Sequence, residues 1–264
     1  MDGLTYRLNE WIRPTDHRSL LVDSSAGLAL GTLPGLEDYA HGTRAILPLI
    51  DGLVCSPGQI RRLVPVPGSK ALVNTRSNAA LLVRMDWTNT LRGTDFVLPP
   101  AAPRRLPILT PQDALDLGAT GMVASFYLGY EEEIEAACLK STVQWALAGK
   151  TLGLPLLIEV CPSGPRVMLP DKAVELGASY AFEGGADVIV VPRAGRKTLE
   201  TLAAFLSVPW LVKASSPEAA APELEEALAC GASGIWLDHR IFSAANPAAS
   251  LQSLSERLHV PLAA

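Results

Sequence analysis

Of the six lysines in this chain, only Lys213 ends a short apolar run, Trp210-Leu211-Val212-Lys213. Several chemistries are open to a lysine so placed. Desolvation can remove its proton and make it a Schiff-base nucleophile toward a ketone or aldehyde. As a cation it can hold a phosphate or carboxylate, or pair with Glu159 or Asp238. Anion binding or pairing ranks ahead of imine chemistry. Glu159 and Cys161 close a second run, in Glu159-Val160-Cys161-Pro162-Ser163-Gly164. A thiol there can serve as acid, base or nucleophile if a cation lowers its pKa, and is otherwise an inert half-buried cysteine. Asp23, Arg84 with Asp86, Arg193, and Asp238 with His239 and Arg240 stand at the ends of further runs. Taken singly, each reads equally well as the start of a polar loop. Together they describe a polar pocket. Lys213 is its candidate electrophile, Asp23 and Glu159 its proton carriers, and Cys161 or His239 an assisting group. Arg84, Asp86, Arg193, Ser215, Asp238 and His239 are candidate substrate contacts. No Ser/His/Asp constellation, phosphate-binding loop or metal-ligand spacing is evident, and His17, His41 and His259 do not cluster for metal ligation.

The elements that must present these residues announce themselves by repetition. A helix-like stretch closes on Gly-Ala and an apolar run follows at once. This happens at Gly118-Ala119, Gly185-Ala186 and Gly231-Ala232. Glycine takes the left-handed position that caps a helix, and the chain then enters a buried strand. Buried strands that each follow a helix form parallel β/α units. Eight runs fit strands, at residues 20–23, 52–55, 81–86, 121–127, 156–160, 188–191, 210–213 and 234–238. Helices are predicted at 131–152, 173–176, 199–206 and 218–230, and the first has its acidic residues at the start and Lys150 near the end, as the helix dipole favours. The Pro-rich stretch 98–111 reads as a surface excursion after the third strand. No G-x-G-x-x-G follows the first strand, so a dinucleotide fold is disfavoured. The expectation is one α/β domain over residues 1–264, a (β/α)8 TIM barrel, whose usual size of about 250 residues matches this chain. In such barrels chemistry sits at the C-terminal ends of the strands, where the residues named above fall.

Composition bounds the rest. Apolar residues make up 48% of the chain, enough for a large core, and the net charge of −5 argues against nucleic acid as a partner. No basic-then-apolar leader opens the sequence, and no apolar run reaches the roughly 18 residues of a membrane span. The four cysteines form no CxxC pair, which fits a reducing, cytoplasmic setting with neither metal nor disulfides. A small-molecule substrate is expected, with no cofactor.

The segments together resemble a known family. Val22 to Asp38 (VDSSAGLALGTLPGLED) resembles the first-strand region of the archaeal-type class I fructose-bisphosphate aldolases and their relatives, among them the thiolase of phosphorylated autoinducer-2. The likeness continues through DGLVCSPGQI, DLGATGMVASFYLGYEEEIE, GKTLGLPLLIEVCPSGP, GGADVIVV and GASGIWLDHRIF, from Val22 to Phe242. It implies the barrel fold and a homo-oligomer. It also assigns roles from which this chain departs. The family's Schiff-base lysine in Gly-Ala-Asp-x-x-Lys matches Val190, and its acid/base tyrosine matches Cys161. The His-Gly after the first-strand aspartate matches Ser24-Ser25, while the aspartate itself is kept as Asp23. The Gly-Gly after the seventh strand, whose amides hold phosphate, matches Ala214-Ser215, and the Gly-Arg after the eighth matches Asp238-His239. An aspartate there repels phosphate. Lys213, on the neighbouring strand, is placed to substitute for the missing lysine, although adjacent strands lie about 4.8 Å apart.

Two functions follow as expectations. One is an aldolase-like carbon–carbon lyase acting on a small polar keto or aldehyde compound, sugar-like or sugar-phosphate-like; fructose 1,6-bisphosphate itself is disfavoured by the altered loops. The alternative is a non-catalytic barrel kept as a binding or scaffold subunit.

Overall fold

The computed structural model describes residues 2–63 and 79–259; Lys70, one of the lysines counted above, lies outside them. In chain order the strands are β1 (Ser19–Asp23), β2 (Gly52–Cys55), β3 (Ala80–Arg84), β4 (Asp86–Thr88), β5 (Arg105–Pro107), β6 (Gly121–Tyr127), β7 (Leu156–Cys161), β8 (Val188–Pro192), β9 (Trp210–Lys213) and β10 (Gly234–Leu237). The helices are α1 (Gly3–Leu8), α2 (Gly27–Leu30), α3 (Tyr39–Arg44), α4 (Pro57–Leu63), α5 (Pro111–Asp116), α6 (Glu132–Leu152), α7 (Pro170–Glu183), α8 (Arg196–Phe205), α9 (Ala220–Ala229) and α10 (Pro247–Leu258). Eight strands close into a parallel barrel in the order β1-β2-β3-β6-β7-β8-β9-β10, and β4 and β5 form a separate antiparallel ribbon. This is the expected (β/α)8 barrel.

The Gly-Ala repeats act as the sequence suggested. Gly118, Gly185 and Gly231 take φ of 78°, 92° and 95°. In each case the next N–H reaches back over the last helical turn, Ala119 to Ala114, Ala186 to Ala181 and Ala232 to Ala227. That bond satisfies a carbonyl the helix end would otherwise leave open.

Strand alternation then sorts side chains into two apolar sets. Leu20, Val22, Met122, Ala124, Ile158, Ile189 and Val212 face outward into the shell of helices. Leu21, Val54, Leu82, Val123, Leu157, Val190, Leu211 and Trp236 fill the lumen together with Trp11 and Ile12. Trp11 comes from the segment between α1 and β1, is wholly buried, and closes the N-terminal end of the barrel. Burying each such side chain stabilises the fold by about 1.5–3 kcal/mol.

Differences from expectation lie at the edges of elements. The third barrel strand, expected to reach Asp86, stops at Arg84. Met85 gives its N–H to Val123 O and its carbonyl to Ile108 N–H, and Asp86 opens β4 instead. The Pro-rich excursion therefore ends in a strand, β5, that returns to pair with β4. The helix expected at 173–176 is much longer, because Pro170 starts it at a position where its missing N–H costs nothing and Gly184 follows its end. No helix among the described residues is long and apolar enough to cross a membrane.

Candidate active site

Two residues beyond the apolar lumen layer, the inward positions change character. Leu21 is followed on the same face by Asp23, Leu82 by Arg84, Val123 by Ser125, Leu157 by Glu159, Leu211 by Lys213 and Trp236 by Asp238. The period of two that builds the lumen thus delivers polar groups to the C-terminal mouth. They surround a cavity of about 520 Å³, lined by all ten sequence candidates: Asp23, Arg84, Asp86, Glu159, Cys161, Arg193, Lys213, Ser215, Asp238 and His239.

A chain of charges crosses the floor of this cavity. Arg84 bonds Asp23 Oδ2 through Nη2 at 2.5 Å and Glu159 Oε2 through Nη1 at 3.0 Å. Its Nη1 also meets Ser125 Oγ at 3.0 Å, its Nε meets Ser25 Oγ at 3.1 Å, and its Cζ lies 5.8 Å from the Trp236 ring centroid. Ser25 in turn donates twice to Asp23 Oδ1, from its N–H at 2.7 Å and its hydroxyl at 2.6 Å. At the other end, Lys213 Nζ bonds Glu159 Oε1 at 2.7 Å. Glu159 therefore holds a cation on each oxygen. Burial works to raise its carboxyl, but Lys213 and Arg84 outweigh burial and hold it down to about 2. For Lys213, burial works to lower the ammonium and the Glu159 carboxylate outweighs it, so the pKa ends above its ordinary value. The resting pair is ammonium and carboxylate. Of the roles open to Lys213, pairing with Glu159 is the one the free protein displays.

The remaining candidates divide by their partners. Asp86 Oδ2 accepts from Arg105 Nε at 2.9 Å and from Ser125 N–H at 3.0 Å, while its Oδ1 has no hydrogen-bond partner among the described residues. Asp86 is thus a structural anchor as well as a wall of the cavity. Arg84, read from the sequence as a substrate contact, is 7% exposed and bonded on all sides, which makes it the positioning group for both carboxylates. The Cys161 thiol is pushed well up, first by burial and then by the Glu159 charge, so it stays protonated rather than becoming a thiolate. Val190 is wholly buried in the lumen, in register beside Glu159. Arg193 lies 3.3 Å from Glu223, and Arg240 clamps Asp238 at 2.7 Å. Burial works to raise the Asp238 carboxyl, but Arg240 prevails and lowers it.

Sequence reading missed Ser125, Tyr127, Trp87, Thr88 and Thr90, which also line the cavity. Ser125 and Tyr127 could have been found by counting every second residue from Val123. Trp87, Thr88 and Thr90 arrive on the ribbon, whose Trp87 Nε1 donates to Leu28 O at 2.9 Å. Among the described residues, no group of three or more His, Cys, Asp or Glu is gathered to hold a metal.

Fold and mouth together define a (β/α)8 barrel of the kind that carries an enzyme site at its strand ends. Comparison with known proteins narrows the class. No protein-family model matches the chain. It is 25% identical over 260 residues to the 3-hydroxy-5-phosphonooxypentane-2,4-dione thiolase of Yersinia pseudotuberculosis serotype O:1b (strain IP 31758), covering 97% of this chain and 82% of that one. It is 24% identical over 270 residues, with the same coverage, to the thiolase of that name from Salmonella typhimurium LT2. Among solved structures, a Schiff base-forming fructose-1,6-bisphosphate aldolase superposes with a TM-score of 0.78 at 20% identity, over 98% of this chain and 100% of that one. An archaeal fructose-1,6-bisphosphate aldolase whose catalytic lysine is covalently bound to a carbinolamine intermediate gives 0.77 at 18% identity, over 97% and 99%. The chain thus resembles the thiolases in sequence and the archaeal class I aldolases in fold, as its motifs implied.

Proposed function

We propose that the chain is an aldolase-type carbon–carbon lyase acting on a small hydroxy-carbonyl compound of sugar-like character. The observation that carries this reading is the buried chain Asp23–Arg84–Glu159–Lys213 at the mouth of a closed barrel. Cleavage of a β-hydroxy carbonyl needs a cation at the carbonyl oxygen and a base at the hydroxyl. The hydroxyl proton leaves, the carbon–carbon bond breaks, and its electron pair moves onto the carbonyl fragment as an enolate. Lys213 supplies the cation, where the developing oxyanion gains most from a fixed charge in a partly dry site. Glu159 is held too acidic to be an effective base and acts instead as the anchor of Lys213. Asp23 takes the proton, the neutral Cys161 thiol gives one to the enolate carbon, and proton exchange with solvent at the open mouth returns Asp23 to carboxylate and Cys161 to thiol.

The ion pair with Glu159 favours Lys213 as a charge rather than an imine nucleophile, since a nucleophilic amine must first lose its proton. The relatives' names point the same way on reaction class. Neither the geometry nor the comparisons lend support to the non-catalytic alternative.

Borohydride reduction with a panel of hydroxy ketones and aldehydes, followed by intact mass and turnover assays, tests the reading. Turnover without an adduct is expected, with Lys213→Ala lowering kcat by about 10²–10³, the usual effect of removing one oxyanion-stabilising donor. An adduct on Lys213 would replace the electrostatic role with imine chemistry. Absence of both turnover and adducts would overturn the lyase reading.

A further inference from the structure

In parallel barrels a phosphate is frequently seated by the loops after the seventh and eighth strands and the start of a short helix there, where backbone N–H groups point at the anion. In this chain both places already hold an anion of its own. After β9, Ser215 donates its N–H to Glu223 Oε2 at 2.8 Å and its hydroxyl to Glu223 Oε1 at 2.5 Å. Arg193 Nε stands 3.3 Å from that same Oε1. Glu223 belongs to the first turn of α9 and is 8% exposed, so its carboxylate sits behind the cavity wall that Ser215 and Arg193 present. After β10, the Arg240 N–H donates to Asp238 Oδ1 at 3.0 Å, and the Arg240 guanidinium grips both oxygens of that carboxylate. Each loop therefore reproduces the contacts a bound phosphate would receive, an amide and an arginine, around an internal carboxylate. The lysine and arginine that also line the mouth, Lys213 and Arg84, are matched by Glu159 and Asp23.

We propose that Glu223 is a built-in anion that fills the oxyanion cradle after β9, so that the pocket selects uncharged hydroxy-carbonyl compounds over their phosphate esters. An incoming phosphate would find its amide and hydroxyl donors engaged, Arg193 paired with Glu223 behind the wall, and the Asp238 carboxylate on the cavity lining. Removing the Glu223 charge frees Arg193 and one of the two Ser215 donors, and removing the side chain frees both, which is an anion site in the making. The proposal rests on the lyase reading for the identity of the substrate, but the occupancy of the cradle does not depend on it.

Calorimetric titration with inorganic phosphate compares the wild-type chain with Glu223→Gln and Glu223→Ala. The wild type is expected to show no saturable binding. Glu223→Gln, which keeps the size and packing of the side chain, is expected to bind phosphate at least about tenfold more tightly, as one freed charge-assisted hydrogen bond supplies. Glu223→Ala should do the same if it folds, and Glu223→Gln decides the matter if it does not. Wild-type binding equal to that of the variants, or no gain in Glu223→Gln, would overturn the proposal. In turnover, a hydroxy ketone and its phosphate monoester should be separated by kcat/KM in favour of the free compound, with the ratio moving toward the ester in Glu223→Gln; an unmoved ratio would count against it. If neither compound is cleaved, the lyase reading fails, and the phosphate titration still settles the role of Glu223.

Discussion

Arg84 brings a permanently charged group into the interior of the barrel and holds two carboxylates in fixed positions. Such a pair of buried ion pairs stabilises little in net terms, because desolvating the charges offsets their attraction. Breaking it is another matter. Arg84→Met leaves Asp23 without its cation and Glu159 with only Lys213, and should lower unfolding free energy by about 3–5 kcal/mol, the cost of stranding a buried charge. Urea denaturation with matched m-values measures it; a loss within experimental error would show that the carboxylates find other partners. The strand-end candidates were legible because ionisable residues ending apolar runs are few, and a closed barrel gathers all its strand ends at one rim. Ser125 was not, because a neutral serine in an apolar run gives no signal without the register. Glu223 was not, because a glutamate in an Ala/Glu-rich helix reads as a solvated face; only its return onto Ser215 gives it meaning.

The β4–β5 ribbon carries one wall of the cavity, and Arg105 ties it to α6. Arg105 bonds Asp86 at 2.9 Å and Ser141 Oγ of α6 at 2.5 Å, and its Cζ lies 5.2 Å from the Trp145 ring centroid. The barrel strands do not depend on it. Arg105→Leu should therefore release Trp87, Thr88 and Thr90 from the mouth and raise KM several-fold, while far-ultraviolet circular dichroism keeps its barrel signature. A change in kcat with unaltered KM would place the ribbon outside substrate binding. The eight barrel strands were legible to within a residue or two because their apolar runs and Gly caps are local features. The ribbon was hidden because its partner strands are separated by a long loop, and its pairing depends on Arg105 reaching α6. Neither leaves a periodic trace in the sequence.

At the end opposite the mouth, the two halves of the described chain are tied together. His259, just past α10, bonds Asp16 Oδ2 through Nδ1 at 2.7 Å and Asp51 Oδ2 through Nε2 at 3.0 Å, and Arg13 holds Asp51 Oδ1 at 2.6 Å. Burial works to lower the imidazole pKa, but the two aspartates outweigh it and raise it above 6.5. A histidine raised on folding contributes stability that is fully present below its unfolded pKa of about 6.5 and is lost as pH rises through the folded value. The wild-type Tm should therefore exceed that of His259→Gln most at acidic pH, with the gap narrowing through the folded pKa; a gap constant with pH would show that folding leaves the His259 pKa unchanged, and one that widens with pH that it is lowered. The same end explains something about traffic. Trp11 stoppers the barrel there, so the mouth is both entrance and exit. Under the proposed cleavage, the fragment lying against Lys213 and Glu159 would be trapped above this blind floor, beneath the one nearer the rim. A lyase with this shape releases its products in a compulsory order, the upper fragment first, and the deeper one competes with fresh substrate for the empty site.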